Sequence, residues 1–539
     1  MKPNVKLLCI PLIALVLGAC SSMPKSVTSR SSGSGYSLRG VTSEELEQAL
    51  ADVDRVSTAG LQTKEDHQAY ATATERAVAL WLSLSDEKSR SQPLAAGALY
   101  RLESSWPKNL KFDELIPANT IKGSHLKRRI TREGVGVPFV AHWHYTADRK
   151  AAEPFMSDGG YLTSVTATID FRRVGKGPRV ASLRLHDSRV MEKVRLNGHE
   201  LPLAADLTAY GEYLMSKKEV QMAGLKALLR SSKYMNKMGL LAFEHPDEDR
   251  IPLLLVHGLM SRPATWQNVI NELGADPLIQ KHYQIYLFRY PSGVPILYSS
   301  AKLREELAKL HTTLEKSNTR ILNHHMVLIG HSMGGLVSKG QVQESGDRIW
   351  VNLLGDTPEN LGLTKAERDA LSSYMEFDPN PSVSRVIFAA TPHRGSKVAD
   401  TRLAHFGRRL VSLPGRTFGT TFDILEGIAS RDPKLGQLLA NGMPTSVDNL
   451  SPGSPYVKIA NSLPFRSGVH LHSIIGNKEG KPLTDPECSD GFVPYSSSHL
   501  DNVDSEFLVR SDHGVHEKLE AIEEMRRILR LHLRQMNLH

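Results

Sequence analysis

The chain is poor in cysteine, with three among 539 residues, at positions 9, 20 and 488. That count excludes a small disulfide-stapled scaffold, and the spacing excludes a cysteine-built zinc site. Aromatic residues are sparse at 6%. No stripe of Lys and Arg interleaved with aromatics is present, so nucleic acid is not an expected partner. Charge of one sign is also lacking: 66 Lys and Arg stand against 58 Asp and Glu, a net charge of +8. So small an excess fits a solvated basic surface with mild attraction to anionic headgroups. Long hydrophobic runs are missing too. Residues 7–17 (LLCIPLIALVL) are interrupted by Cys9 and Pro11 and fall short of the ~20 apolar residues that span a bilayer.

What is present is ordinary globular chemistry, 40% hydrophobic and 23% charged. A chain of this length predicts two or more domains. Its first twenty residues carry a basic n-region (Lys2, Lys6), the apolar run as h-region, and then Leu17-Gly18-Ala19-Cys20. This ending resembles the lipobox of bacterial lipoproteins. The resemblance implies a signal peptide over 1–19, cut before Cys20, whose thiol then carries a diacylglycerol. Ser21 after it fits a lipid-anchored protein of the cell envelope, on the outer membrane facing the periplasm. Each buried acyl methylene adds about 0.8 kcal/mol to such an anchor. Cys9 would leave with the peptide and Cys488 would have no partner, so no intrachain disulfide is expected. Residues 20–40, rich in Ser and Gly without an apolar period, read as a flexible tether.

Residues 41–240 predict an α+β region. Thr42-Ser43-Glu44-Glu45 has the pattern of a capping box, followed by Leu46, Leu50 and Val53 at helical spacing. A second helix is predicted over 64–84, and half-exposed strands over 161–169 and 180–185. No motif in this region bears chemistry. Over 241–539 the rhythm becomes strand, loop, helix. Continuous apolar runs at 251–257, 284–288, 326–329, 386–390 and 470–475 predict strands buried on both faces. Helices are predicted over 264–273, 301–314, 336–343 and from 518 onward. The alternation specifies an α/β, doubly wound, mostly parallel sheet.

The strand at 326–329 leads into Gly330-His331-Ser332-Met333-Gly334 and then a helix. Gly-x-Ser-x-Gly alone has about 0.2 chance matches in a chain this long; the strand before it and the helix after it make it specific. The turn would strain the serine backbone, require glycine on either side, and set the hydroxyl at a helix N-terminus. Ser332 is therefore the candidate nucleophile. A serine needs a base held by an acid, in the chain order Ser, Asp, His. Asp490 follows the 470–475 strand and is the candidate acid, with Asp485 one loop earlier as the lesser choice. His513 lies after a last strand at 506–509 and is the candidate base, because Gly514 lets the loop bend back; His516 is the alternative. The N–H groups of Leu259 and Met333 are the candidate oxyanion donors.

His257-Gly258-Leu259, Gly330 to Gly335, Thr391-Pro392-His393-Arg394-Gly395-Ser396 and Ser489-Asp490-Gly491-Phe492-Val493-Pro494 together resemble the α/β-hydrolase superfamily, in its lipase and esterase branch. The resemblance covers about residue 240 to the C-terminus. It implies hydrolysis of carboxylic esters, with an acyl-ester and possibly lipid substrate, through an acyl-enzyme and with no cofactor. It also implies that Thr391 to Ser396 shape the acyl pocket, and that an insertion at 397–464 forms a cap. Leu403, Phe406, Leu410, Phe418, Phe422, Ile424 and Leu425 could face the substrate from it. The aspartate pair of a lipase calcium site is not identifiable, so no metal is expected, and His324-His325 read as structural. Two rival readings share these residues: another serine acyl transfer (thioesterase, peptidase or acyltransferase), or a non-catalytic lipoprotein that binds an envelope partner.

Overall fold

The computed structural model describes residues 27–28, 42–83, 98–123, 125–216, 237–261, 263–315, 324–396, 427 and 445–538. The expected signal peptide, Cys20, most of the expected tether and the seven apolar cap residues named above lie outside the described residues. Among the described residues no helix is long and apolar enough to cross a membrane.

Helix α1 (Ser43–Ala59) begins where its capping box dictates. Thr42 Oγ1 accepts from Glu45 N at 3.1 Å, and Thr42 N donates to Glu45 Oε2 at 3.0 Å. Leu46, Leu50 and Val53 then bury on one face. With α2 (Lys64–Ser83) it packs on a sheet whose spatial order is β1 (Val27–Thr28), β3 (Glu114–Pro117), β4 (Val137–Trp143), β5 (Tyr161–Arg172), β6 (Arg179–Asp187), β2 (Tyr100–Ser105). All pairs are antiparallel except β6 with β2.

The half-exposed face predicted for β5 is not found. Val165, Ala167 and Ile169 face the helices, yet Ser164, Thr166 and Thr168 on the other face are buried as well. The chain crosses that face and accepts hydrogen bonds from two of them: Ser164 Oγ donates to Asp206 O at 3.0 Å and Thr166 Oγ1 to Ala204 O at 2.5 Å, while Thr168 Oγ1 pairs with His186 Nε2 at 2.8 Å. A small hydroxyl side chain can be buried at little cost once its hydrogen bond is made. Polar alternation therefore marks a satisfied second layer here, not solvent.

The second sheet runs, in space, β7 (Gly239–Ala242), β9 (Tyr283–Arg289), β8 (Ile251–Val256), β10 (Met326–His331), β11 (Val383–Ala389), β12 (His470–Gly476), β13 (Ser505–Val509). It is parallel throughout except for β7 on β9. Leu254, Val256 and Leu328 enter the core on one face, and Leu253, Leu255 and Ile329 that on the other. Burial on both faces is why these strands read as unbroken apolar runs. Helices α3 (Gln267–Gly274), α4 (Ile296–Leu314), α5 (Met333–Lys339) and α6 (Leu519–Gln535) cover the faces. α5 starts three residues before its predicted position because its first turn is Met333-Gly334-Gly335, which has no apolar period to read.

The halves are joined at α3, where Thr208 Oγ1 donates to Asn271 Oδ1 at 2.8 Å, and along a seam at β7. Leu162 N donates to Phe243 O at 2.8 Å, and Ala242 N to Phe155 O at 2.7 Å. Beside them Glu244 sits between two guanidiniums, 2.9 Å from Arg189 Nη2 and 3.0 Å from Arg250 Nη1. Burial alone would raise the Glu244 carboxyl, but the two arginines overcome it and hold it at about 2. Breaking a buried pair from one side leaves charge without compensation, a loss of about 3–5 kcal/mol. Arg189 keeps Asp187 and Arg250 keeps Asp247, so Glu244→Ala should cost about 3 kcal/mol, the low end of that range, in urea unfolding. A change within about 0.5 kcal/mol, the level of an ordinary surface substitution, would show that the cluster does not hold the seam.

Candidate active site

Ser332 stands between β10 and α5 at the carboxyl edge of the second sheet. Its backbone lies at φ 55°, ψ −126°, a conformation that costs a non-glycine residue about 1–3 kcal/mol. Glycine makes the turn possible. A Cβ on Gly330 would fall 2.5 Å from Gly335 Cα, and one on Gly334 would fall 2.2 Å from Val256 O. The helix therefore starts against the end of β8, and the serine hydroxyl is left at its N-terminus.

Three of the predicted side chains meet there. Ser332 Oγ lies 2.9 Å from His513 Nε2, and His513 Nδ1 lies 2.7 Å from Asp490 Oδ2. Because the carboxylate only accepts, the ring proton belongs on Nδ1, and Nε2 accepts from the serine hydroxyl. Asp490 is itself oriented: its Oδ1 accepts from Phe492 N at 2.8 Å and Val493 N at 2.7 Å. Gly476, ending β12, lets it approach, since a Cβ there would come within 2.8 Å of Asp490 Cβ. The carboxylate is buried, while His513 is about one-fifth exposed. A row of this kind can move a proton from hydroxyl to imidazole while the carboxylate holds the ring.

His516, the alternative base, faces elsewhere. Its Nε2 is 3.0 Å from Thr265 Oγ1, and its ring packs on Trp266 and on His331. Burial, reinforced by His513, pushes it down to about 3. Asp485 is likewise outside the row; its Oδ1 accepts from Glu487 N at 2.8 Å within its own turn.

No family model matches the chain, and no curated protein matches it. Among solved structures it is similar to the lipase BlEst2 of Bacillus licheniformis in mature form, at 19% identity over 53% of this chain and 94% of that one, with a TM-score of 0.30. It is also similar to the metagenomic carboxyl esterase MGS0156, at 16% identity over 50% of this chain and 65% of that one, TM-score 0.26. A third likeness, at 12% identity over 55% of this chain and 96% of that one, TM-score 0.28, is to a structure described among carboxylesterases of Nitrososphaera gargenis. Likeness at this level is not carried over to the chemistry of the site.

The remaining predicted residues surround Ser332. A Cβ on Gly258 would lie 2.9 Å from Ser332 Cβ, so the turn that carries Leu259 backs directly onto the serine. That turn is closed by Ser261 N to Gly258 O at 3.3 Å and tied down by Met260 N to Ser292 Oγ at 3.1 Å. Met260 has φ 55° and is exposed. Met333 opens α5, where an N–H has no carbonyl one turn behind it. Among the described residues neither Leu259 N nor Met333 N donates to a protein acceptor. The Thr391 to Ser396 loop lies behind the elbow: a Cβ on Gly335 would strike Thr391 Oγ1, and Ser396 Oγ donates to Phe492 O. Cys488 is buried and free. His324, read as structural from the sequence, comes alongside His311 and Glu315.

Sequence reasoning missed two histidines in the support of this site. His331 Nε2 donates to the carbonyl of His513 at 2.8 Å, which anchors the loop that carries the imidazole. His257 stacks on Tyr290 at 4.4 Å, and Tyr290 Oη donates to His257 O at 2.6 Å. Both lie in the motif blocks, but their supporting role has no signal in a single sequence, because each is defined by its partner across the fold. Burial holds His331 well below the ordinary histidine value and His257 at about 4.

These buried histidines set a pH dependence. In the unfolded chain they bind protons below about pH 6.5; folded, His257 and His516 remain neutral down to about 4 and about 3. The unfolded state then binds more protons, so stability falls as pH falls. From these groups the urea midpoint should decline continuously from pH ~6.5 toward pH ~4. His516→Gln should shallow that decline, and a slope unchanged in the variant would rule out His516 as a source.

Proposed function

We propose that the chain is a serine hydrolase of the α/β-hydrolase fold that cleaves carboxylic esters through an acyl-enzyme. The observation that carries this is the row Ser332, His513, Asp490 at a strained strand-to-helix turn. In this reading His513 Nε2 takes the hydroxyl proton as Ser332 Oγ attacks the ester carbonyl. The developing oxyanion is received by the N–H groups of Leu259 and Met333, and each such donor contributes about 2.7–4 kcal/mol at the transition state. The imidazolium returns its proton to the departing alkoxide, leaving the acyl group on Ser332. Water, activated by the same nitrogen, then releases the acid and restores the serine. Asp490 keeps the ring in the required tautomer throughout.

Exposed apolar side chains favour an acyl chain over a sugar or peptide as occupant. Phe492 packs beside His513 with ring centroids 5.2 Å apart and is nearly half exposed, and Met260 projects from the turn next to Ser332. Lipid anchoring at Cys20 would hold such a site against an envelope membrane, within reach of membrane esters. Its support is the n-region, h-region and Leu17-Gly18-Ala19-Cys20 pattern alone.

A fluorophosphonate probe should label the wild-type protein and not Ser332→Ala, and Ser332→Ala should lack esterase turnover on nitrophenyl esters. Asp490→Asn should lower kcat by about 10⁴-fold by selecting the wrong tautomer. His513→Ala should match the serine variant, whereas His516→Ala should retain most of the chemistry and lose stability. Full turnover in Ser332→Ala or Asp490→Asn would remove the assigned roles. Separately, Cys20→Ser should shift the full-length protein from the membrane to the soluble fraction of the producing bacterium; continued membrane association would argue against the anchor.

A further inference from the structure

We propose that the N-terminal half binds a divalent transition-metal ion of the zinc class through Glu114, His142 and His144. The antiparallel register of β3 and β4 sets Glu114 directly opposite His142, and His144, two residues further on, returns to the same face. Glu114 Oε2 accepts from His144 Nε2 at 3.0 Å and lies 3.8 Å from His142 Nδ1, and one ligand atom from each residue falls within 4.8 Å of the others; an ion at His144 Nε2 would move that proton to Nδ1, on the Asp113 side. A tetrahedral ion with bonds of about 2.0–2.1 Å holds its ligand atoms about 3.4 Å apart. Closing this triangle onto an ion therefore changes its edges by no more than about 1.4 Å, within reach of side-chain rotation.

The tautomer of His142 is the decisive feature. Its Nε2 lies 2.8 Å from the carbonyl oxygen of Gly159, which only accepts, so the ring proton belongs on Nε2. In the neutral ring Nδ1 is then a bare lone pair. It is buried, has no hydrogen-bond partner among the described residues, and faces the Glu114 carboxylate. Two electron-rich atoms opposed in a site where both side chains are about nine-tenths buried repel each other. A cation between them converts that repulsion into two bonds.

The surroundings have the form of a metal site's outer shell. Gly159 O orients one imidazole. Asp113 accepts from His144 N at 2.9 Å and places Oδ2 3.9 Å from His144 Nδ1, so the nitrogen not facing Glu114 looks toward a carboxylate. Arg149 locks that arrangement, donating to Asp113 Oδ1 at 2.9 Å and to His144 O at 2.9 Å. His144 is nearly half exposed, which leaves a side open for entry and for a water as fourth ligand. Two imidazoles and one carboxylate suit zinc, whereas calcium and magnesium take oxygen ligands. The sequence does not mark these three residues, because they come from two strands and share no motif.

The test uses the full-length protein, stripped with a chelator and titrated with zinc by calorimetry and with cobalt(II) by visible absorption. Expected are one equivalent bound, the d–d absorption of tetrahedral cobalt, and a higher unfolding temperature with zinc. His144→Ala, at an exposed position, and Glu114→Gln should each weaken binding by about 100-fold or more, with far-ultraviolet circular dichroism reporting that the fold is kept. Folded wild-type protein that takes up no stoichiometric ion would overturn the proposal. So would binding that survives His144→Ala but is lost in His324→Ala, which would place the ion at His311, Glu315 and His324 instead.

Discussion

Everything at the candidate active site depends on one steric constraint, the close approach of α5 to the ends of β8 and β10. Val256 O and Gly335 Cα stand where side chains at 334 and 330 would have to go. Satisfying that contact drives Ser332 to φ 55° and leaves its hydroxyl at the N-terminus of a helix. Strain of about 1–3 kcal/mol in one residue persists only when the surrounding packing over-determines it. Here two glycines, Gly258 across the gap and the wholly buried β10 supply that packing.

The partners reach the serine by a different physics. Asp490 and His513 are carried on loops after β12 and β13, and each loop is pinned by backbone hydrogen bonds: Asp490 by two amides, the His513 carbonyl by His331. Buried neutral histidines form much of this scaffold. They are good struts in an apolar site because a ring can donate from one nitrogen without carrying charge, and poor ones in acid, where the unfolded chain claims the protons.

The N-terminal half is not an appendage on this frame. Its sheet packs against the second half along the β7 seam, with the Arg189–Glu244–Arg250 cluster largely shielded at the join. Its polar strand faces are covered by its own chain, and at one point, opposite Glu114, a histidine lone pair is left without a partner.

The sequence by itself determined the architecture of the second half, the position of the strained turn and the chain order of its serine, aspartate and histidine candidates, because these rest on local rules. Buried parallel strands must be apolar without a break, and a tight turn must have glycine. The start of α5 was lost for the same reason, since glycine carries no period. Tertiary structure alone decided what depends on partners distant in the chain. It turned His513 rather than His516 toward the serine, buried the hydroxyls of β5 beneath residues near 205, and set Glu114 across from His142. A side chain's hydrogen-bond partner, and therefore its proton, its orientation and its exposure, is a property of what the fold places beside it. No spacing along a single chain records that.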